Sequence, residues 1–167
     1  MNIRDGAHNW HSTQAERHAP LPCDQVLPDA DSVVHRAIDV DASPPVVFRW
    51  LCQLKVAPYS YDLIDNFGRR SPRELTPGAE RLEVGQRFIS IFRLTGFEPD
   101  RQITILTRIG PTAVTYDVSP RGDGSRLYAR IRIRGRMAPA LPYLDLPMMR
   151  KQLLTLKELA EASRPAA

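Results

Sequence analysis

From Gln86 onward apolar and polar positions alternate for about fifty residues, and this period of two predicts a run of strands. Phe88, Ser90, Phe92 and Leu94 alternate with Arg87, Ile89, Ile91 and Arg93, so both faces of the first strand are partly apolar, and Gly96 and Pro99 mark its turn. Ile103, Ile105 and Ile109 line up next; Gly110-Pro111 then turns the chain into Val114, Tyr116 and Val118. Arg121-Gly122-Asp123-Gly124 reads as a hairpin turn. The following strand has the cleanest pattern, with Leu127, Ala129, Ile131 and Ile133 on one face and Arg126, Tyr128, Arg130, Arg132 and Arg134 on the other. Upstream, Ser32 to Val40 has the same period, with Val34, Ile38 and Val40 opposite His35, Ala37 and Asp39.

The helical signals flank these strands. Ser43 followed by Pro44 opens a helix through Val46, Phe48, Trp50, Leu51 and Leu54, and Pro58 ends it. Tyr59 to Arg70 predicts a short second helix with Gly68 as its stop, and a proline-punctuated loop runs from Ser71 to Gly85. The longest helix signal spans Asp145 to Ser163, where Met149, Leu153, Leu156 and Ala160 recur at spacings of 4, 3 and 4. Asp145 is expected to cap this helix, with Pro147 in its first turn and Pro165 just past its end. Leu146, Met148, Leu154 and Leu159 widen the apolar stripe, as suits a helix lying across a curved sheet. Residues 1–30 show little spaced apolar character and carry two arginines against four acids, a formal charge of −2. They are expected to form a flexible tail that adds nothing to the fold, leaving one domain over residues 31–167.

Composition changes this picture little. The 167 residues are 43% hydrophobic and 25% charged, which suits a single α+β domain with a sizeable core. The net charge is +4, with Arg far outnumbering Lys. Cys23 and Cys52 suggest neither a disulfide framework nor a thiolate metal site. With no span-length apolar run and no signal-peptide core, a cytoplasmic protein is the expectation. Three of the four histidines, His8, His11 and His18, fall in the expected tail without partners at ligand spacing, so no metal or other cofactor is called for.

The order is strand, two short helices, antiparallel strands and a long final helix. It resembles the helix-grip fold of the START-like or SRPBCC superfamily, in which a curved antiparallel sheet wraps a C-terminal helix around an apolar cavity. The segment HRAIDVDASPPVVFRWL is similar to that family's opening strand and helix entry; YSYDLIDNFGRRSPRELTPGAERLEVGQRF resembles a stretch of bacterial polyketide cyclase or dehydrase-like members, and RKQLLTLKELAE their closing helix. The resemblance covers about residues 32–163. It implies a hydrophobic cavity, in a superfamily that includes lipid carriers, hormone receptors and ring-closing enzymes, so it does not fix function.

Hydrolase and nucleotide motifs are missing: there is no Gly-rich phosphate loop, no His-Glu-x-x-His and no Gly-x-Ser-x-Gly. The densest polar cluster is Tyr59, Tyr61, Asp62, Asp65, Asn66, Arg69 and Arg70. On a helix Tyr61 and Asp65 share a face and can present a phenol and a carboxylate at a cavity mouth; alternatively these residues tie a loop together. The weak catalytic candidates are thus Tyr61, Asp65 and His35, the one histidine outside the expected tail. Trp50, Tyr61, Asp65, Arg70, Phe88, Phe92, Tyr116, Met149 and Leu153 are the candidate ligand-binding residues, with core packing as the alternative for the apolar ones. The arginine row Arg126, Arg130, Arg132, Arg134 and Arg136 would suit a phosphate surface, but a solvated sheet face is favoured and nucleic acid is not expected. The leading expectation is a module that binds a hydrophobic or amphipathic small molecule, such as a lipid or polyketide, between sheet and final helix. The alternatives are a cyclase or dehydratase using the same cavity, and a regulatory protein using the basic face. Oligomeric state is not legible in the sequence.

Overall fold

The computed structural model describes residues 3–61, 70–89 and 91–163. In chain order the elements are α1 (Ile3–His8), β1 (Asn9–Trp10), α2 (Gln14–His18), α3 (Pro22–Val26), β2 (Ser32–Val40) and α4 (Pro44–Cys52) with a 3-10 turn at Gln53–Lys55. They continue with β3 (Arg87–Phe88), β4 (Phe92–Glu98), β5 (Gln102–Thr107), β6 (Thr112–Arg121), β7 (Gly124–Ile133) and α5 (Leu141–Ala162). The expected helix after Tyr59 falls largely on residues 62–69, outside the described residues.

The seven strands form one sheet in the order β1-β2-β7-β6-β5-β4-β3, antiparallel except for the β1–β2 pair. Its register follows from the alternation. On β7, Leu127, Ala129, Ile131 and Ile133 face inward and are all buried, opposite Ile38, Arg36, Val34 and Ser32 on β2 and Val118, Tyr116, Val114 and Thr112 on β6. The β6–β7 connection is a two-residue hairpin, and Gly122 supplies the left-handed φ of 56° such a turn requires. Gly124 sits where the backbone of β2 passes: a Cβ there would lie 2.5 Å from the Val40 carbonyl oxygen. The expected strand across Gln86–Leu94 is two strands, with β3 pairing back on β4 through Phe88 opposite Phe92.

Helix α5 lies against the inner face, and its stripe of Met149, Leu153, Leu156 and Ala160 is buried, together with Leu159. Fully burying one such leucine contributes roughly 1.5–3 kcal/mol. Met148 and Leu154 are exposed, so the stripe is narrower than the sequence suggested. The helix also starts a turn early, at Leu141, with Pro142 in its first turn. Asp145 is therefore inside the helix, not its cap, and Pro147 is an interior proline that withholds one helical hydrogen bond. Helix α4 closes the other part of the core, burying Val47, Phe48, Trp50, Leu51 and Cys52. The Trp50 indole N–H donates to Ser163 at the end of α5, at 3.1 Å.

The N-terminal segment departs most from expectation. It is not a solvated tail: α2 and α3 dock on the outer face of the sheet, with Cys23 and Leu27 buried beside Ala113. The attachment is mainly polar, which is why hydrophobic spacing missed it. Glu16 pairs with Arg126 at 2.7 Å, and Asp24 pairs with both Arg130 (2.5 Å) and Arg132 (3.0 Å). Thr13 and Glu16 form a reciprocal capping box at the start of α2.

Candidate functional site

Between the inner sheet face and α5 lies a pocket of about 260 Å³. Ile105, Val114, Tyr116 and Ile131 form its floor on β5, β6 and β7, since each is an inward position of its strand. Met148, Met149 and Gln152 line it from α5, and Ile89, Ile91 and Phe92 from the β3–β4 hairpin. The lining is mostly apolar, with a few polar groups converging on it, the usual composition of a small-molecule site.

Those polar groups are few and placed by buried contacts. The Tyr116 hydroxyl donates to Gln152 Oε1 at 2.7 Å, and Gln152 Nε2 donates to the Pro58 carbonyl at 2.7 Å. Gln152 thereby ties α5 to both β6 and the loop after α4. Burial pushes the Tyr116 phenol well above its usual range, with the nearby Asp145 charge adding to this, so the phenol stays protonated. Asp145 lines the pocket from α5, one turn N-terminal to Met149. Burial raises its carboxyl to about 6, opposed by Arg36.

Arg36 stands behind Asp145 on the inward face of β2 and is wholly buried. Its Nη1 donates to the His35 carbonyl at 3.1 Å and its Nη2 to the Pro142 carbonyl at 3.2 Å, while Asp145 Oδ2 lies 3.7 Å from Nη2. Burial lowers the guanidinium to about 10, and it remains a cation at neutral pH. Chemically, the site can hold an apolar body, offer a carboxyl group that titrates near neutrality, and keep water from that group's inner oxygen.

Of the residues expected at a site, the structure places Phe92, Tyr116 and Met149 on this pocket. Trp50, Phe88 and Leu153 are core residues that do not line it. Tyr61 is 43% exposed and lies on a shallow groove along the outer flank of α5, with Leu146, Pro147, Arg150, Lys151 and Leu154. Arg70 is exposed, and Asp65 lies outside the described residues. His35 is on the opposite side of the sheet, beneath the N-terminal segment, and so does not reach the pocket. There its Nδ1 is hydrogen-bonded with the Tyr128 hydroxyl at 2.6 Å. Burial first, then Arg130, Arg17 and Arg36, push its imidazole down to about 4, so it is neutral and a poor base at neutral pH.

The arginine row is likewise not a solvated face. Arg130 is 3% exposed: Nη1 donates to Asp24 and Nη2 to the carbonyls of Glu16, Arg17 and Ala19. Arg126 and Arg132 are similarly engaged by Glu16, Asp39, Asp24 and the Leu27 and Pro28 carbonyls. Only Arg134 and Arg136 of the row are exposed, which removes the basis for a basic binding face.

Sequence reasoning missed Arg36, Asp145 and Gln152. A signal existed for the first: the period of two that puts Val34 and Ile38 inward also puts Arg36 there. Gln152 falls beside Leu153 within the apolar stripe. Asp145 gave no such signal, because an acid followed by a proline two residues on looks like a helix start.

Among the described residues, no group of three or more His, Cys, Asp or Glu is placed to hold a metal ion, and no helix is long and apolar enough to cross a membrane. No family model matches the chain, and no curated protein matches its sequence. Solved structures do match. A protein of Chromobacterium violaceum, CV1439, is similar over 78% of this chain and 97% of its own, at 15% identity and a TM-score of 0.54. The Aha1 dimer protein of Colwellia psychrerythraea is similar over 80% and 98%, at 14% identity and 0.52. The di-domain ARO/CYC StfQ of the steffimycin biosynthetic pathway is similar over 89% of this chain but 54% of its own, at 16% identity and 0.50. Likeness at such identity speaks to architecture alone, and together with the mostly antiparallel sheet closed by α5 it gives the chain's fold as helix-grip.

Proposed function

We propose that this protein binds a small hydrophobic or amphipathic molecule in the pocket between the sheet and α5. The observation that carries this reading is an apolar cavity of about 260 Å³ into which Tyr116, Gln152 and Asp145 bring the main polar groups. An engineered cavity of about 150 Å³ lined by apolar side chains takes up benzene, so this one has room for a two-ring molecule. A longer lipid or polyketide would extend through the mouth beside Ile91 and Met148. Titration calorimetry of the full chain with naphthalene tests the reading. Val114, on the pocket floor, becomes the filling variant Val114→Phe. Binding by the natural chain and at least tenfold weaker binding by the variant are expected. No binding, or equal binding by a folded Val114→Phe chain, would overturn the assignment.

A second reading has its own observation. A carboxyl group raised to about 6 beside a buried phenol is placed to move a proton at the edge of an apolar ligand, as a cyclase or dehydratase requires. In that case Asp145→Asn lowers turnover of a ketide-like substrate about 10²- to 10⁴-fold. Unchanged turnover would leave binding as the whole function.

A further inference from the structure

Among the described residues, Arg36 on β2 is the one charged side chain at an inward position of the sheet, and it carries an unusual arrangement. Arg36 is fully buried, yet its Nε has no hydrogen-bond partner among the described residues. The Asp145 carboxylate receives no hydrogen bond from any of them either, and its Oδ2 is buried without a hydrogen-bond partner. The 3.7 Å between Oδ2 and Arg36 Nη2 is an ion pair but too long for a hydrogen bond. Buried pairs are tolerated when hydrogen bonds satisfy their remaining atoms, and buried polar atoms left without partners are uncommon and call for an explanation. A leucine and a methionine at these positions would fill the same space without that cost. Asp145 is also the member of the pair that lines the pocket, keeping 26% of its side chain exposed.

We propose that Asp145 is the polar anchor of the pocket's ligand, backed by Arg36, and that the ligand class is an apolar molecule bearing a neutral hydroxyl, an alcohol or a phenol. This rests on the reading of the pocket as a ligand site. The selectivity follows from charge. Arg36 and Asp145 together are neutral, so a ligand that brings an ammonium group leaves a net positive charge in an apolar cavity. A ligand carboxylate meets the Asp145 carboxylate, an acceptor facing an acceptor of the same sign. A hydroxyl donates to the unused carboxylate acceptor and adds no charge. Arg36 acts through Asp145 as a positioning residue, held by the His35 and Pro142 carbonyls and holding the carboxylate ionised and aimed at the cavity.

The test is a matched set of probes titrated into the full chain at neutral pH: naphthalene, 2-naphthol, 2-naphthoate and 2-naphthylmethylamine. One hydrogen bond to a charged group predicts 2-naphthol binding about tenfold more tightly than naphthalene, and both charged probes binding more weakly than 2-naphthol. In the Arg36→Met/Asp145→Leu double variant, which keeps the buried volume apolar, the naphthol-to-naphthalene ratio should fall to about one. Equal affinity of the natural chain for naphthol and naphthalene overturns the anchor and leaves the pocket assignment standing. Tightest binding of 2-naphthoate also overturns it, since the site would then serve Arg36 as an anion site. Failure of all four probes overturns the pocket assignment itself. The comparison within the natural chain decides the matter even where the double variant does not fold.

Discussion

Replacing Asp24 with Asn tests whether the N-terminal segment is a structural part of the domain. Asp24 Oδ2 accepts from Arg130 Nη1 at 2.5 Å and from the Leu21 amide at 2.9 Å, and Oδ1 accepts from Arg132 Nη1 at 3.0 Å. Asn keeps one acceptor oxygen but removes the charge and turns an amide N–H₂ toward a guanidinium. Hydrogen bonds to charged groups contribute about 1.5–3 kcal/mol each, and stripping a buried ion of its partner costs about 3–5 kcal/mol. Arg130 is the buried partner here, but it retains three backbone carbonyl acceptors. The expected loss is therefore at the lower end, about 2–4 kcal/mol, which for a chain of this size corresponds to about 5–15 °C in Tm. Urea unfolding followed by far-UV circular dichroism gives the free energy, and an unchanged m-value would show that both chains unfold from equally compact states. Combining Asp24→Asn with Arg130→Met in a double-mutant cycle should give a coupling of about 1–3 kcal/mol. A loss below about 0.5 kcal/mol with no coupling would mean that α2 and α3 float on the sheet, and the account of the arginine row would fall with them.

His35 and Asp145 should act oppositely on stability between about pH 4 and 6.5. The depressed His35 value contributes stability present above pH 6.5 and lost as pH falls toward 4, whereas the raised Asp145 value contributes stability present near pH 4 and lost as pH rises toward 6. Each is worth at most about 3 kcal/mol, so the natural chain should show a shallow profile, His35→Gln should grow more stable on acidification, and Asp145→Asn should lose stability; parallel profiles in denaturant titrations across pH would contradict this. Leu153→Ala, at a fully buried position under α5, should cost about 2–5 kcal/mol in the same unfolding assay, and a cost under 1 kcal/mol would place that helix face at a void or at solvent. Gly124→Ala should cost about 1–3 kcal/mol, because its methyl group would press on the Val40 carbonyl and part β7 from the end of β2; a neutral result would show that the hairpin yields freely.

The sequence determined by itself the features whose physics is local. The alternation in β7, the stripe of Met149, Leu153, Leu156 and Ala160, and the Gly122 turn each encode which face a residue presents, and with element order they make a curved antiparallel sheet closed by a final helix readable. Phe92, Tyr116 and Met149 could be named as pocket candidates for the same reason: inward positions on such a frame border whatever space lies beneath the helix. What the tertiary structure alone decided are the pairings between distant charges. Asp24 with Arg130, Glu16 with Arg126, and Arg36 with Asp145 join residues about a hundred positions apart, and no local period carries that information. Residues 3–27 held too few spaced apolar side chains to suggest packing, because much of the hold on α2 and α3 runs from Glu16 and Asp24 to arginines that sequence reading assigned to solvent. Asp145 shows the same limit at the pocket: its residue type and the nearby proline describe a helix start, and only the helix beginning one turn earlier, at Leu141, turns that carboxylate inward toward a buried guanidinium.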